Sequence, residues 1–91
     1  MEILINDKLK KKIINLSEND IKFQDYLLEF YNNLSNNNKN AIYSYNNIKL
    51  FKDKNNKVYV HKIKNYRFLF TIDDLNMTII LVDVYKRNRF G

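Results

Sequence analysis

The residues of this chain with the clearest capacity for chemistry are cations, and they are unevenly spread. Residues 1–45 hold six Lys and six Asp or Glu, a net charge of zero, whereas residues 46–91 hold ten Lys or Arg against four Asp, a net of +6. Lys62, Lys64, Arg67, Arg87 and Arg89 all belong to that second half. A half-molecule charged in this way suits a polyanionic partner, with a merely solvated charged surface as the plainer reading. Other chemistries find no support. The chain has no cysteine, so disulfides, thiolate metal sites and Cys nucleophiles are excluded. One histidine, His61, and scattered carboxylates show no metal-ligand spacing, and no cofactor is implied.

Cations act on a ligand only when a fold brings them together. Ninety-one residues make one domain, since so short a chain cannot enclose two cores. Hydrophobic residues make up 45% of the chain, and thirteen of them are Tyr or Phe, so a small core would rest on large rings. The excess of Asn and Lys, with one Gly and no Pro, reads as compositional bias. No apolar run approaches the roughly 18 residues of a membrane span, and Met1-Glu2-Ile3-Leu4-Ile5 lacks the basic start of a secretory signal. A cytoplasmic protein without a membrane partner is the expectation.

Met1–Ile5 reads as one strand, and Asn6 or Asp7 caps a helix to about Leu16, with Leu9, Ile13 and Leu16 on one side. Ser17 is a good N-cap for a second helix, with Glu18 and Asp20 in its first turn. Phe23, Leu27, Phe30 and Leu34 form its buried stripe, widened by Leu28 and Tyr31. Residues 35–40 read as a loop, and Ala41–Asn47 is ambiguous between helix and extended chain.

From Ile48 the period becomes two. Strands are expected at Ile48–Lys52, Val58–Lys64, Tyr66–Ile72 and Met77–Arg87, with turns at Asp53-Lys54-Asn55-Asn56 and Asp73-Asp74-Leu75-Asn76. The fold class is α+β, in the order β-α-α-β-β-β: an N-terminal strand and a helical hairpin packed on one face of a mostly antiparallel sheet. Alternation assigns Tyr59, His61, Ile63, Tyr66, Phe68 and Phe70 to the helix side. The other face receives Lys62, Arg67, Asp83, Tyr85 and Arg87, together with Leu69, Ile79 and Leu81.

At this point the sequence resembles a known family. Val58-Tyr59-Val60-His61-Lys62-Ile63-Lys64-Asn65-Tyr66-Arg67-Phe68-Leu69-Phe70-Thr71-Ile72-Asp73-Asp74 is similar to the hairpin of the RelE/ParE toxin superfamily, and Ile79–Arg87 resembles its last strand with a closing basic pair. The specific likeness covers about residues 48–90; the helices match by pattern. The resemblance implies a type II toxin, in RelE-like members an endoribonuclease that cleaves mRNA, usually on the ribosome, and it implies a cognate antitoxin protein as partner. By position, Lys62, Arg67 and Arg87 fall on the family's catalytic cations. Two departures stand out. Asn88-Arg89-Phe90-Gly91 follow Arg87 where such enzymes often carry a Tyr or His, and Val60 occupies the place of a second basic residue, which Lys64 would have to replace.

Cleaving RNA without a metal needs in-line attack by the adjacent 2′-OH, removal of its proton, and stabilisation of charge on the phosphate. Arg67 and Arg87 suit the last task as planar, always-charged donors. Lys62 suits the base if neighbouring cations or burial depress its pKa. Lys64 and Arg89 would add phosphate contacts, while Tyr85 and Phe90 would stack bases. Each has a plainer reading. Arg67 pairs with Asp83; Lys62 is a solvated strand lysine; Arg87 and Arg89 form a basic tail. His61, Tyr59 and Tyr66 are core, and Asp73-Asp74 is a turn. Two further functions stay open: a ParE-like inhibitor that binds DNA gyrase without catalysis, and an inactive relative that only binds a partner.

Overall fold

The computed structural model describes residues 2–35, 48–53 and 57–87 of the chain. The elements run β1 (Glu2–Ile5), α1 (Asp7–Asn19), α2 (Phe23–Ser35), β2 (Ile48–Asp53), β3 (Lys57–Ile63), β4 (Tyr66–Asp73) and β5 (Thr78–Lys86). The class and order expected from periodicity are those observed. Residues 1, 36–47, 54–56 and 88–91 lie outside the described residues. With them fall most of the 35–40 loop, the Ala41–Asn47 segment, part of the Asp53–Asn56 turn, Arg89 and Phe90.

Asn6 starts α1: its backbone is extended (φ −74°, ψ 164°) and its side chain accepts from the Leu9 N–H at 2.7 Å. The helix does not stop at Leu16. It runs through Ser17 to Asn19, and the break comes at Asp20. Asp20 donates its N–H to the Leu16 carbonyl, while its carboxylate accepts from the Lys22 N–H at 3.1 Å. An aspartate that closes one helix and opens the next competes better for the junction than a mid-helix serine does. In α2 the expected stripe is present, with Phe23, Phe30 and Leu34 buried and Leu27 partly so. Leu28 and Tyr31 do not widen it; both are exposed, because α2 presses one narrow stripe on a sheet and meets no second layer.

One five-stranded sheet has the order β1-β5-β4-β3-β2. All its pairs are antiparallel except β1 with β5, so β1 joins the sheet as an edge strand. The β3–β4 connection is two residues long, Lys64-Asn65, so Lys64 belongs to a turn and not to the strand. At the other end, Asp73 accepts from the Asn76 N–H at 3.3 Å and its side-chain amide at 2.7 Å, the turn expected for Asp73-Asp74.

Period-two parity fails at one place in β5. Leu69 opposes Asp83 but Phe70 opposes Leu81, which leaves Val82 as the extra residue of a β-bulge. The bulge turns Ile79 and Leu81 into the core, each 0% exposed, and leaves Ile80 and Val82 37% and 41% exposed. The assignment of Ile79 and Leu81 to the open face is therefore corrected. The run Ile79-Ile80-Leu81-Val82 is apolar throughout, so no alternation marked the slip.

The core is aromatic, as the composition required. Phe30 stacks on Phe68 with ring centroids 4.8 Å apart and meets Phe70 edge-on at 5.8 Å, while Phe23 lies 4.9 Å from Tyr66. Leu9, Ile13, Leu34, Ile48, Ile63 and Val84 complete it. Both helices cover the same face of the sheet. The other face carries Lys62 and Arg67 beside apolar Val60, Leu69 and Ile80.

Candidate functional site

The short β3–β4 turn holds the hairpin in register and sets Lys62 directly opposite Arg67; Arg67 in turn opposes Tyr85 on β5. Opposed residues stand roughly 5 Å apart at Cβ and share a face. Their strand neighbours Ile63, Tyr66, Phe68 and Val84 are buried against the helices, so the row Lys62–Arg67–Tyr85 lies on the side away from them. Lys62 and Arg67 are half-buried and Tyr85 is exposed.

Arg67 is held by the turn that placed it. Its Nη1 donates to the Lys64 carbonyl at 3.1 Å and to the Tyr66 carbonyl at 2.9 Å. The remaining guanidinium donors keep their capacity for an anion. Arg87 follows β5, and its N–H donates to the Asn65 carbonyl at 2.6 Å, which pins the end of that strand to the same turn. The Lys62 ammonium sits below the usual lysine range; the charge of Lys49 is the largest cause, followed by burial and the charges of Arg67 and Arg87. The sequence-expected trio Lys62, Arg67 and Arg87 is thus brought within electrostatic reach of one another.

Lys64 is brought near the trio in a different role. It sits in the turn with a left-handed φ of 55° and offers its carbonyl to Arg67. The Arg67–Asp83 pair does not form. β1 pairs with β5 only over Thr78–Leu81, so Asp83 lies past its end on an open flank. There it meets Lys12 of α1, with Nζ 2.8 Å from Oδ1, beside an open cleft of about 410 Å³ lined by Asn6, Lys8, Leu9 and Val82. Among the described residues the ion pairs are Lys12–Asp83 and Lys10–Asp7, and neither involves Arg67 or Arg87.

His61 is not part of the site. It is 0% exposed on the helix side, with Nε2 3.2 Å from Asn33 Nδ2 and its ring 5.9 Å from that of Phe30. Tyr66 is core, as expected, and Tyr59 packs partly buried against the core beside Phe70. Lys62, Lys64, Arg67, Lys86 and Arg87 gather at the β3–β4 turn, where Asp20 also bonds Tyr66; Glu2, Asp73 and Asp74 lie at the opposite end of the strands with Lys57. The residue that sequence reasoning overlooked is Lys49 on β2, opposite Val60. Its alternation with buried Ile48 was visible, but its neighbour across the sheet was not.

Among the described residues, no group of three His, Cys, Asp or Glu could hold a metal ion, and no helix is long and apolar enough to cross a membrane. No protein-family model and no curated protein matches the chain.

Proposed function

We propose that this protein is a toxin of the RelE/ParE type that cuts mRNA, on the ribosome, without a metal. The observation that carries the reading is the convergence of Lys62, Arg67 and Arg87, with Lys62 less basic than an ordinary lysine. Neutral Lys62 takes the proton of the 2′-OH; the 2′ oxygen bonds to phosphorus; and the P–O5′ bond breaks. The products are a 2′,3′-cyclic phosphate and a 5′ oxygen that takes its proton from water. Arg67 and Arg87 stabilise the charge that builds on the phosphate oxygens. Tyr85, beside Arg67 in the register, is a platform for a base of single-stranded RNA. A partner antitoxin would carry an acidic or amphipathic segment that neutralises this face.

The test is translation of a defined mRNA with the purified protein, with cut sites mapped by primer extension. Lys62→Ala and Arg87→Ala are expected to lose roughly 10²–10³-fold in cutting while keeping the fold. Gyrase inhibition with intact mRNA would overturn the nuclease reading in favour of a ParE-like inhibitor. Full activity in both variants would overturn the site.

A further inference from the structure

The lysine that most influences Lys62 arrives from another strand. Lys49 opposes Val60, and Lys62 lies two residues further along β3, on the same face. Such diagonal neighbours are roughly 7–8 Å apart, within reach of two long side chains. Lys49 is exposed, and β2 is the edge of the sheet, so a ligand over Lys62 meets Lys49 on one flank and Arg67 on the other.

We propose that Lys49 is a positioning residue of this site: an edge-strand lysine that flanks Lys62 and governs whether its amine is available as a base. The inference deepens the nuclease reading and rests on Lys62 being that base. Among the described residues, the groups on the face of Lys62 include Lys49 from β2, Arg67 from β4, and Tyr85 and Arg87 from β5 and its end. Asp83, the nearest carboxylate along β5, is turned to Lys12. Lys64, two residues on from Lys62, is an exposed turn residue whose backbone carbonyl accepts from Arg67. The direction in which Lys62 is shifted, with Lys49 as its largest cause, agrees with the placement. Unlike Arg67, Lys49 carries a compact charge on a flexible stem, which suits electrostatic influence over fixed hydrogen bonding.

The experiment follows the side-chain titration of Lys62 by NMR in lysine-labelled protein, for the wild type, Lys49→Met, Lys49→Arg and Lys64→Met. Lys49→Met should move the Lys62 midpoint up toward that of a free lysine. Lys49→Arg should restore it, and Lys64→Met should leave it unchanged. In the cutting assay Lys49→Met should lose activity several-fold at neutral pH and regain it as pH rises, because a more basic Lys62 is deprotonated later. Lys49 is exposed on an edge strand, so far-UV CD of the variants should match the wild type. An unmoved Lys62 midpoint in Lys49→Met overturns this inference whatever the enzyme does. A wild-type protein that leaves mRNA intact, with the midpoint still moved by Lys49→Met, overturns the nuclease reading and upholds the coupling.

Discussion

The phenol of Tyr66, the first residue of β4, donates to the Asp20 carboxylate at 2.8 Å, so the junction between the two helices is tied to the strand that carries Arg67. Asp20 serves four neighbours at once: Tyr66, the Lys22 N–H, the Phe23 N–H and the Leu16 carbonyl. The bond holds the Asp20 carboxyl below the usual range, with the Tyr66 phenol as the largest cause. Burial, then the bond and charge of Asp20, push the Tyr66 phenol up to about 12.

The signs of those shifts set the pH dependence of stability. A carboxyl held low in the folded state stabilises above its unfolded pKa, and that contribution is lost as pH falls through the acid range. A phenol held high stabilises fully below pH 10 and loses its contribution as pH rises from 10.0 toward about 12. Tyr66→Phe should therefore flatten the alkaline limb of a stability–pH curve and weaken the acid limb. Urea melts across the pH range would measure both, and an unchanged alkaline limb would show that the bond is absent in solution.

Phe30 meets Phe68, Phe70 and His61 and is 1% exposed, so its removal opens the centre of the helix–sheet interface. Phe30→Ala should cost about 3–5 kcal/mol. Against the roughly 5–15 kcal/mol of a whole domain, much of the protein should then be unfolded in mild urea. Tyr31→Ala, at the exposed neighbouring position, should change the midpoint little. Equal effects of the two substitutions would mean that α2 is rotated from the position described.

Lys64 holds a φ of 55°, where a side chain costs free energy and glycine does not. Lys64→Gly should stabilise the hairpin by up to about 1 kcal/mol, read as a higher melting temperature. It should also leave Arg67's bond to that carbonyl in place, and with it most of the cutting activity. A large loss of activity would make the Lys64 ammonium, and not only its backbone, part of the site.

If the cationic row binds a single strand by its phosphates, affinity should fall with salt in proportion to the cations engaged, by a slope of about 0.7 per phosphate neutralised. Arg67→Ala and Arg87→Ala should each shallow a plot of log affinity against log salt by about that amount. Asp83→Asn should leave the slope unchanged, since that carboxylate is engaged with Lys12 on the flank of the sheet. Parallel lines for all the variants would indicate binding elsewhere on the surface.

Local pattern alone was enough for the helical stripe of Phe23, Phe30 and Leu34, for the placing of Lys62 and Arg67 on one face, and for the confinement of His61 to the core. A helix and a two-residue hairpin impose their periods through bonds a few residues long, so the side on which each residue falls is written in its near neighbours. The bulge at Val82, the parallel docking of β1 on β5, the capture of Asp83 by Lys12 and the approach of Lys49 to Lys62 were decided by tertiary structure. Each joins residues far apart in the chain or breaks an alternation that an apolar run conceals. Such pairings depend on how whole elements share one core, and no window of sequence contains them.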